Sequence, residues 1–126
     1  MYSCDSHAAD DAAFSQFQQH VDRCPDLPAA EHGRLLEAAR AGDRQARAAL
    51  VEANLRLILW VAHHERRGLT RNEAVQEGAA AFLDAIDRYD PKRAQFSTYA
   101  VLRIRNHYRE LAQRDARRSK REGMAA

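Results

Sequence analysis

Residues 70–109 read TRNEAVQEGAAAFLDAIDRYDPKRAQFSTYAVLRIRNHYR, and this stretch decides both the fold and the function that the sequence predicts. It begins with an acidic and amide cluster and continues through a Tyr-Asp-Pro turn. An aromatic and hydroxyl run follows, and then a stripe of arginines. An acidic face beside an aromatic and basic face suggests a two-sided adaptor, with a protein on one side and nucleic acid on the other.

The composition predicts an all-α fold. The chain has 126 residues, which is the size of one domain, with only 5 Gly and 3 Pro. Ala, Arg, Glu, Leu and Gln are abundant, and these residues favour helices. A hydrophobic content of 45% is enough for a modest core. We expect a compact bundle of about five helices, with a long third helix and a basic C-terminal helix.

Caps and breakers predict where the helices lie. The chain should form helices over residues 10–23, 28–42, 43–68, 70–88 and 97–116. Asp43 is a good N-cap for the third helix, which we expect to be central, and Thr70-Arg71-Asn72-Glu73 matches a capping box for the fourth. Ser97 or Thr98 should cap the last helix. We expect a disordered stretch over 1–9, one helical domain over 10–112 and a basic tail over 113–126.

Apolar residues at helical spacing predict the buried faces. The inner face of the third helix should consist of Leu50, Ala53, Leu57, Val61 and His64. The apolar residues of the last helix are Val101, Leu102, Ile104, Tyr108 and Leu111.

The distribution of charge indicates nucleic-acid binding. Residues 1–40 carry seven acids and three bases, whereas residues 92–122 carry ten bases and three acids. A basic segment of this kind is the electrostatic footprint of a nucleic-acid site, and the alternative is a solvated arginine-rich helix end. A helix face with Arg103, Arg105, Asn106 and Arg109 can reach phosphates and base edges together.

Two aromatic residues precede that basic face. Phe96 and Tyr99 can supply the stacking surfaces that hold unstacked bases, or both rings can belong to the core. The two possibilities are equally open for Phe96. We expect Tyr99 to be partly exposed, because its hydroxyl needs water or a polar partner.

Catalysis, metal binding and membrane insertion find no support in the sequence. It contains no glycine-rich phosphate loop and no nucleophile elbow, and the adjacent His63 and His64 point about 100° apart on a helix. Cys4 and Cys24 form no CxxC pair. We expect no enzyme, no cofactor and no metal site. The apolar run over 57–62 is too short to cross a bilayer, and nothing resembles a signal peptide, so a cytoplasmic protein is expected.

Three segments make the chain recognisable. RLLEAARAGDRQARAALVEANLR (34–56), LVEANLRLILWVAHH (50–64) and AVQEGAAAFLDAIDRYDPKRAQFSTYAVLRIRNH (74–107) resemble the bacterial RNA polymerase sigma factors of the sigma-70 family. The resemblance covers regions 1.2 and 2, roughly residues 10–112. It implies an all-helical domain that docks on the coiled coil of the largest subunit of core RNA polymerase. That domain also reads, and helps to melt, the −10 promoter element.

The resemblance also implies roles for individual residues. The positions that face the polymerase are Glu73, Gln76, Glu77 and Leu83. Tyr99 matches the aromatic residue that stacks on the flipped adenine, and Asn106 and Arg109 match the positions that read the upstream −10 base pair. The remaining matches surround the flipped base or lie near the downstream single strand, and they are Arg93, Phe96, Thr98, Asn54 and Arg56.

The departures from the family pattern limit the expected function. Most primary sigma factors carry two tryptophans where this chain has Leu102 and Arg103, so the aromatic wedge that props the duplex open is absent. The loop after Pro91 is one residue shorter, and Ala79 replaces a frequent asparagine. Regions 3 and 4 have no counterpart here, so a second protein is expected to supply −35 recognition. Phosphate contacts by the tail 114–121 can compensate in part.

Three functions remain open on this sequence. The first is a sigma-like initiation factor that binds core polymerase and the −10 element and needs a partner upstream. The second is a polymerase-binding regulator that does not itself read or melt promoters. The third is a basic helical DNA-binding protein that does not bind polymerase.

Overall fold

A computed structural model describes residues 27–125, and within that range it is all helical, without a strand. The helices are α1 (Ala29–Arg40), α2 (Arg44–Ala53), α3 (Leu55–Glu65), α4 (Arg71–Arg88) and α5 (Phe96–Ala125). The predicted all-α fold is therefore confirmed. The stretch 1–9 and the helix predicted over 10–23 lie outside the described residues.

Two predicted helix starts are confirmed by their caps. The side chain of Asp43 accepts hydrogen bonds from the backbone N–H groups of Gln45 (2.9 Å) and Ala46 (3.2 Å) at the start of α2. At the start of α4, Thr70 Oγ1 accepts from Glu73 N–H (3.1 Å). Glu73 Oε1 in turn accepts from Thr70 N–H (3.3 Å), which completes the capping box.

The predicted long third helix is instead two helices that meet at Asn54. The backbone of Asn54 has φ −107° and ψ 12°, which departs from helical geometry. Its side-chain Nδ2 donates to the carbonyl of Leu50 (2.8 Å) and lies 3.0 Å from Nε2 of His32 on α1. An asparagine side chain that bonds the preceding turn competes with the helix, and here it marks the break.

The break also changes which residues of α3 are buried. The buried residues of this helix are Ile58, Leu59, Val61 and Ala62. His64, predicted to face the core, is exposed, and its Nδ1 lies 2.8 Å from the carbonyl oxygen of Trp60. The prediction was wrong because it extended one continuous helical spacing from Leu50 through Asn54.

The centre of the bundle is α4, not the predicted third helix. It contacts all four other helices, and its buried side chains include Phe82 and Ile86. Gly78 lies where three helices meet, since a Cβ there would come within 2.8 Å of Tyr108 Oη and 3.0 Å of Ile58 Cγ2. The absence of a side chain at this position therefore permits the close approach of α3 and α5.

The last helix differs from its prediction at both ends. It begins at Phe96, with Tyr99 N–H bonded to the carbonyl of Gln95 (3.1 Å), so neither Ser97 nor Thr98 is the cap. It continues to Ala125 instead of ending near residue 117. Leu102 is 52% exposed, because it lies almost opposite the buried Ile104 on the helix.

Across the described part of the chain, every helix is too short or too polar to span a bilayer.

Candidate protein-docking and nucleic-acid interface

The outward side of α4 carries the residues predicted to meet a protein partner. Glu73 and Gln76 are exposed, and Glu77 is half-buried. They follow one another at helical spacing and share one side of the helix. Leu83 is also half-buried and packs against the core, so it contributes an apolar edge to this face. We call Glu73, Gln76, Glu77 and Leu83 the α4 face.

Polar side-chain contacts connect α4 to α5. Glu77 Oε2 lies 2.6 Å from Nε2 of His107, and the carboxylate of Asp84 accepts a hydrogen bond from Arg103 (2.5 Å). About one turn before Glu77, the carbonyl of Ala74 accepts a hydrogen bond from the hydroxyl of the buried Tyr108 (2.5 Å). Burial raises the pKa of Tyr108 above its ordinary value, and the negative charge of Glu77 adds to the effect.

A cavity of about 320 Å³ opens at the start of α5. It is lined by Arg88, Asp90, Arg93, Ala94 and Tyr99. Internal hydrogen bonds hold the loop beside it, because the hydroxyl of Tyr89 donates to Ala94 O (2.7 Å) and the N–H of Lys92 donates to Asp90 Oδ1 (3.0 Å). The end of α4, the loop and the start of α5 therefore place an aromatic ring and two guanidinium groups around one opening, which we call the Tyr99 cavity.

The two aromatic residues at the start of α5 have different environments. Phe96 is only 8% exposed, and its ring meets those of Phe82 (5.4 Å between centroids) and Tyr89 (5.2 Å) edge-on. Tyr99 is half-buried and lines the cavity. Phe96 is therefore a core residue in this conformation, whereas Tyr99 has the partial exposure that we expected.

The predicted basic face of α5 is divided by ion pairs within the bundle. Arg103 pairs with Asp84 on α4, and Arg105 Nε lies 2.8 Å from Glu65 Oε2 on α3. Both guanidinium groups thus join α5 to its neighbours. Thr98 and Arg109 are exposed and Asn106 is half-buried, on the outward side of the same helix.

Asn54 and Arg56 lie apart from the Tyr99 cavity. Asn54 is half-buried at the joint between α2 and α3, with its amide bound to Leu50 O and close to His32. Arg56 is exposed in the first turn of α3. Neither residue lines the cavity. The structure gives Asn54 a structural role that the sequence did not suggest.

The three aspartates near the end of α4 are each paired with an arginine. Asp84 pairs with Arg103 and, at 3.2 Å, with Arg88. Asp87 pairs with Arg47 (2.6 Å) and Asp90 with Arg93 (3.6 Å). The hydrogen bond from Arg47 lowers the pKa of Asp87. Among the residues that the structure describes, no group of three or more His, Cys, Asp or Glu could hold a metal ion.

Three residues of the cavity, Arg88, Asp90 and Ala94, were not anticipated as site residues. Arg88 is the last residue of α4, and Asp90 forms the turn that follows it. The Tyr-Asp-Pro sequence indicated the turn, but not that Tyr89 would fold the loop back against Ala94. A buried tyrosine hydroxyl needs a partner nearby, and that requirement is the signal that could have found this arrangement.

Comparison with known proteins connects this geometry with transcription. The sequence model of sigma-70 region 2 matches residues 50–119, which include α3, α4 and most of α5. The chain is 40% identical over 83 residues to the RNA polymerase sigma factor RpoS of Coxiella burnetii, covering 64% of this chain and 24% of that protein. It is 35% identical over 91 residues to the RNA polymerase sigma factor SigA of Clostridium acetobutylicum, and that match covers 71% of this chain and 24% of that protein. The chain thus spans about a quarter of the length of these relatives.

Proposed function

This chain belongs to the sigma-70 region 2 family, and from this premise we propose that it is a sigma-like initiation factor that binds core RNA polymerase and −10 promoter DNA. Polymerase meets the α4 face, through the coiled coil of its largest subunit. DNA meets the Tyr99 cavity and the outward side of α5. A second protein supplies the upstream −35 contacts, and the complex acts in the cytoplasm.

The Tyr99 cavity carries this proposal. It combines a half-buried aromatic ring with Arg88 and Arg93, and Arg93 has a side chain that is 89% exposed. Stacking of a base on an aromatic side chain contributes about 1–3 kcal/mol, and nearby arginines neutralise the phosphates on either side. The arrangement suits an unstacked base of a single strand. Asn106 and Arg109 are proposed to contact the adjoining duplex.

The α4 face suits a basic partner. Glu73 and Gln76 are exposed, and carboxylates form their strongest hydrogen bonds with arginines. Glu77 already lies against His107, so a guanidinium from polymerase would share its carboxylate or replace that contact. Leu83 would add apolar contact at the edge of the same face.

The need for a partner follows from Leu102 and Arg103. Leu102 is 52% exposed and has no aromatic face, and Arg103 is held by Asp84. Extrusion of a base costs a few kcal/mol, and each missing aromatic platform removes about 1–3 kcal/mol of compensation. Upstream contacts by a second protein would restore part of that free energy.

The same two residues favour a second candidate function. A chain without the aromatic wedge can occupy the sigma site on polymerase and redirect transcription without reading promoters. Its α4 face would still bind polymerase, but its binding to DNA would show no preference for a −10 sequence. Sequence preference in DNA binding therefore distinguishes the two candidates.

Co-purification with core RNA polymerase tests the docking part of the proposal. Gln76→Arg and Glu77→Arg each place a cation where an arginine-rich partner should meet the α4 face, and we expect at least a tenfold loss of affinity, which corresponds to about 1.4 kcal/mol. Glu37→Arg, at an exposed position of α1, is the matched charge-changing control and should bind as the unmodified chain does.

The two docking variants differ in their risk of misfolding. Gln76 is exposed, whereas Glu77 contacts His107, so circular dichroism should accompany both measurements. Retained polymerase binding in both folded variants would overturn the proposed docking face. Equal loss in the Glu37→Arg control would show that net charge, not the α4 face, determines binding.

A further inference from the structure

The side-chain pairs Glu77–His107 and Asp84–Arg103 both join α4 to α5, but they respond differently to pH. The guanidinium of Arg103 keeps its positive charge at every pH that a cell meets. Nε2 of His107 lies 2.6 Å from Oε2 of Glu77, and an imidazole gains or loses its charge between about pH 5 and 8. One pair is therefore constant, whereas the strength of the other depends on a proton.

The Glu77–His107 contact lies at the rim of the bundle and not in its core. The side chain of Glu77 is 41% exposed, and that of His107 is 26% exposed. Glu77 also belongs to the α4 face, where Glu73, one turn earlier, and Gln76 are exposed. A partner that meets this face can therefore reach the carboxylate that His107 already contacts.

The proton decides how strongly His107 holds that carboxylate. A neutral imidazole gives Glu77 an ordinary hydrogen bond, whereas a protonated one gives a charge-assisted bond that is roughly twice as strong. A guanidinium binds a carboxylate best through both oxygens, and His107 occupies Oε2. Docking through Glu77 must therefore displace this contact, and the displacement costs more when the imidazole is charged.

Other titratable and charged groups surround this pair. α5 packs chiefly against α4 and α3, so these helices and α5 itself supply them. They are Glu73 and Asp84 on α4, Glu65 on α3, and Arg103, Arg105, Tyr108 and Glu110 on α5. The two arginines are paired with acids of the facing helices, and the tyrosine hydroxyl donates to a backbone carbonyl. The two remaining acids, Glu73 and Glu110, are exposed, so the contact with Glu77 is the one most directly changed when His107 gains its proton.

We propose that His107 is a built-in competitor for the docking carboxylate, so that the α4 face binds core RNA polymerase more weakly when His107 is protonated. This inference rests on the proposed function, because it concerns the face that polymerase is proposed to meet. In the free chain His107 holds Glu77, and a cation of the polymerase displaces it. Docking is therefore favoured as the pH rises from about 6 to about 8.

The affinity of the full chain for immobilised core RNA polymerase, measured without DNA at about pH 6 and about pH 8, tests the competitor. Two substitutions fix the charge at this position. His107→Gln keeps a neutral N–H donor, and His107→Lys keeps a positive charge at both pH values. His63→Gln, at an exposed position of α3, is the matched control for the loss of a titrating imidazole.

Because polymerase has titrating groups of its own, each variant is compared with the unmodified chain at the same pH. At the lower pH, His107→Gln should bind about two- to fivefold more tightly than the unmodified chain, which is the range for a partly exposed ion pair. At the higher pH these two proteins should bind equally. His107→Lys should equal the unmodified chain at the lower pH and bind about two- to fivefold more weakly at the higher pH. His63→Gln should equal the unmodified chain at both.

Other outcomes overturn the competitor. An affinity ratio of His107→Gln to the unmodified chain that is the same at both pH values removes it. Weaker binding of His107→Gln at both pH values means that His107 orients Glu77 for docking. The same ratios in His63→Gln would show that the effect does not come from the contact with Glu77.

A second substitution covers the case in which a His107 variant folds poorly, which circular dichroism at both pH values would reveal. Glu77→Gln removes the carboxylate for which His107 competes, so its affinity should change less between the two pH values than that of the unmodified chain. An equal change in the two proteins overturns the competitor.

The same measurements separate the competitor from the proposed function. Polymerase binding without an effect of His107 on its pH dependence removes the competitor and leaves the docking face in place. An unmodified chain that binds polymerase at neither pH removes both.

Discussion

The bundled part of α5 and its exposed end, residues 113–123, which we call the overhang, both carry clusters of arginine, but the two segments use that charge differently. In the bundled part, Arg103 pairs with Asp84 and Arg105 with Glu65, so these residues join α5 to α4 and α3. In the overhang every residue is exposed, and the pair at Arg118 and Glu122 lies within the helix itself. A run of basic residues is therefore not one binding surface. Acids on the facing helices decide which bases are structural.

Apolar burial, more than these ion pairs, holds the bundled part in place. Ion pairs with this degree of exposure typically contribute 1 kcal/mol or less, whereas a fully buried large apolar side chain contributes about 1.5–3 kcal/mol. Ile104 and Tyr108 of α5 are both buried against α4. The pairs at Arg103 and Arg105 add contacts from the same helix to α4 and α3.

The largest expected contrast, between the packing surface on α4 that holds the bundled part of α5 and the overhang, comes from adding one methyl group. Gly78→Ala should destabilise the protein by about 1–3 kcal/mol, because the new Cβ would meet Tyr108 Oη at 2.8 Å and Ile58 Cγ2 at 3.0 Å. Gly123→Ala, in the overhang, meets nothing within 4 Å and should be neutral or slightly stabilising, since alanine favours helix. Urea unfolding of both variants checks the contrast, and equal stability changes would contradict the close packing at Gly78.

A smaller effect is expected from the buried hydroxyl. Tyr108→Phe removes the hydrogen bond to Ala74 O and should cost about 1 kcal/mol in the free energy of unfolding. Burial raises the pKa of Tyr108 in the folded state, so its contribution is complete below the unfolded pKa of about 10 and is lost as pH rises above it.

Unfolding measured between neutral and alkaline pH checks this account of Tyr108. The unmodified chain should lose more stability above about pH 10 than the Tyr108→Phe variant does. Parallel pH profiles for the two proteins would show that this tyrosine titrates no differently in the folded and unfolded chains.

The smallest effect concerns the arginines themselves. Arg103→Gln removes one of the two arginine partners of Asp84, the one that joins α5 to α4, and should destabilise the bundle by about 0.5–1 kcal/mol. Arg114→Gln, in the overhang, should leave stability nearly unchanged, because it removes both the repulsion with Arg118 and the attraction to Glu110. Thermal unfolding at low salt compares the two variants. A loss at Arg114 that equals the loss at Arg103 would remove the distinction between the segments.

The sequence predicted local features better than the relations between helices. The caps at Asp43 and Thr70 and the extent of α4 depend on neighbouring residues, so the pattern of amino acids was sufficient to place them. The break at Asn54 was missed because part of its cause, His32, lies on another helix. The central position of α4 was missed for a related reason, since the close approach at Gly78 depends on three helices at once.

The candidate site shows the same limit. The partial exposure of Tyr99 followed from the chemistry of its hydroxyl, whereas the burial of Phe96 required the rings of Phe82 and Tyr89. Arg103 and Arg105 read as part of a DNA face because their acidic partners, Asp84 and Glu65, lie 19 and 40 residues earlier in the chain.

Sequence-selective binding of single-stranded −10 DNA tests the central claim most directly. The chain bound to core RNA polymerase is titrated with a −10 oligonucleotide and with a scrambled oligonucleotide of equal composition, with Tyr99→Ala as the variant and Tyr2→Ala, outside the described residues, as the control. We predict a clear preference for the −10 sequence in the unmodified chain. Tyr99→Ala should abolish this preference and weaken the free energy of binding to the −10 oligonucleotide by about 1–3 kcal/mol. Tyr2→Ala should retain the preference. Equal binding of the two oligonucleotides by the unmodified chain, or a preference that survives Tyr99→Ala, would contradict the account.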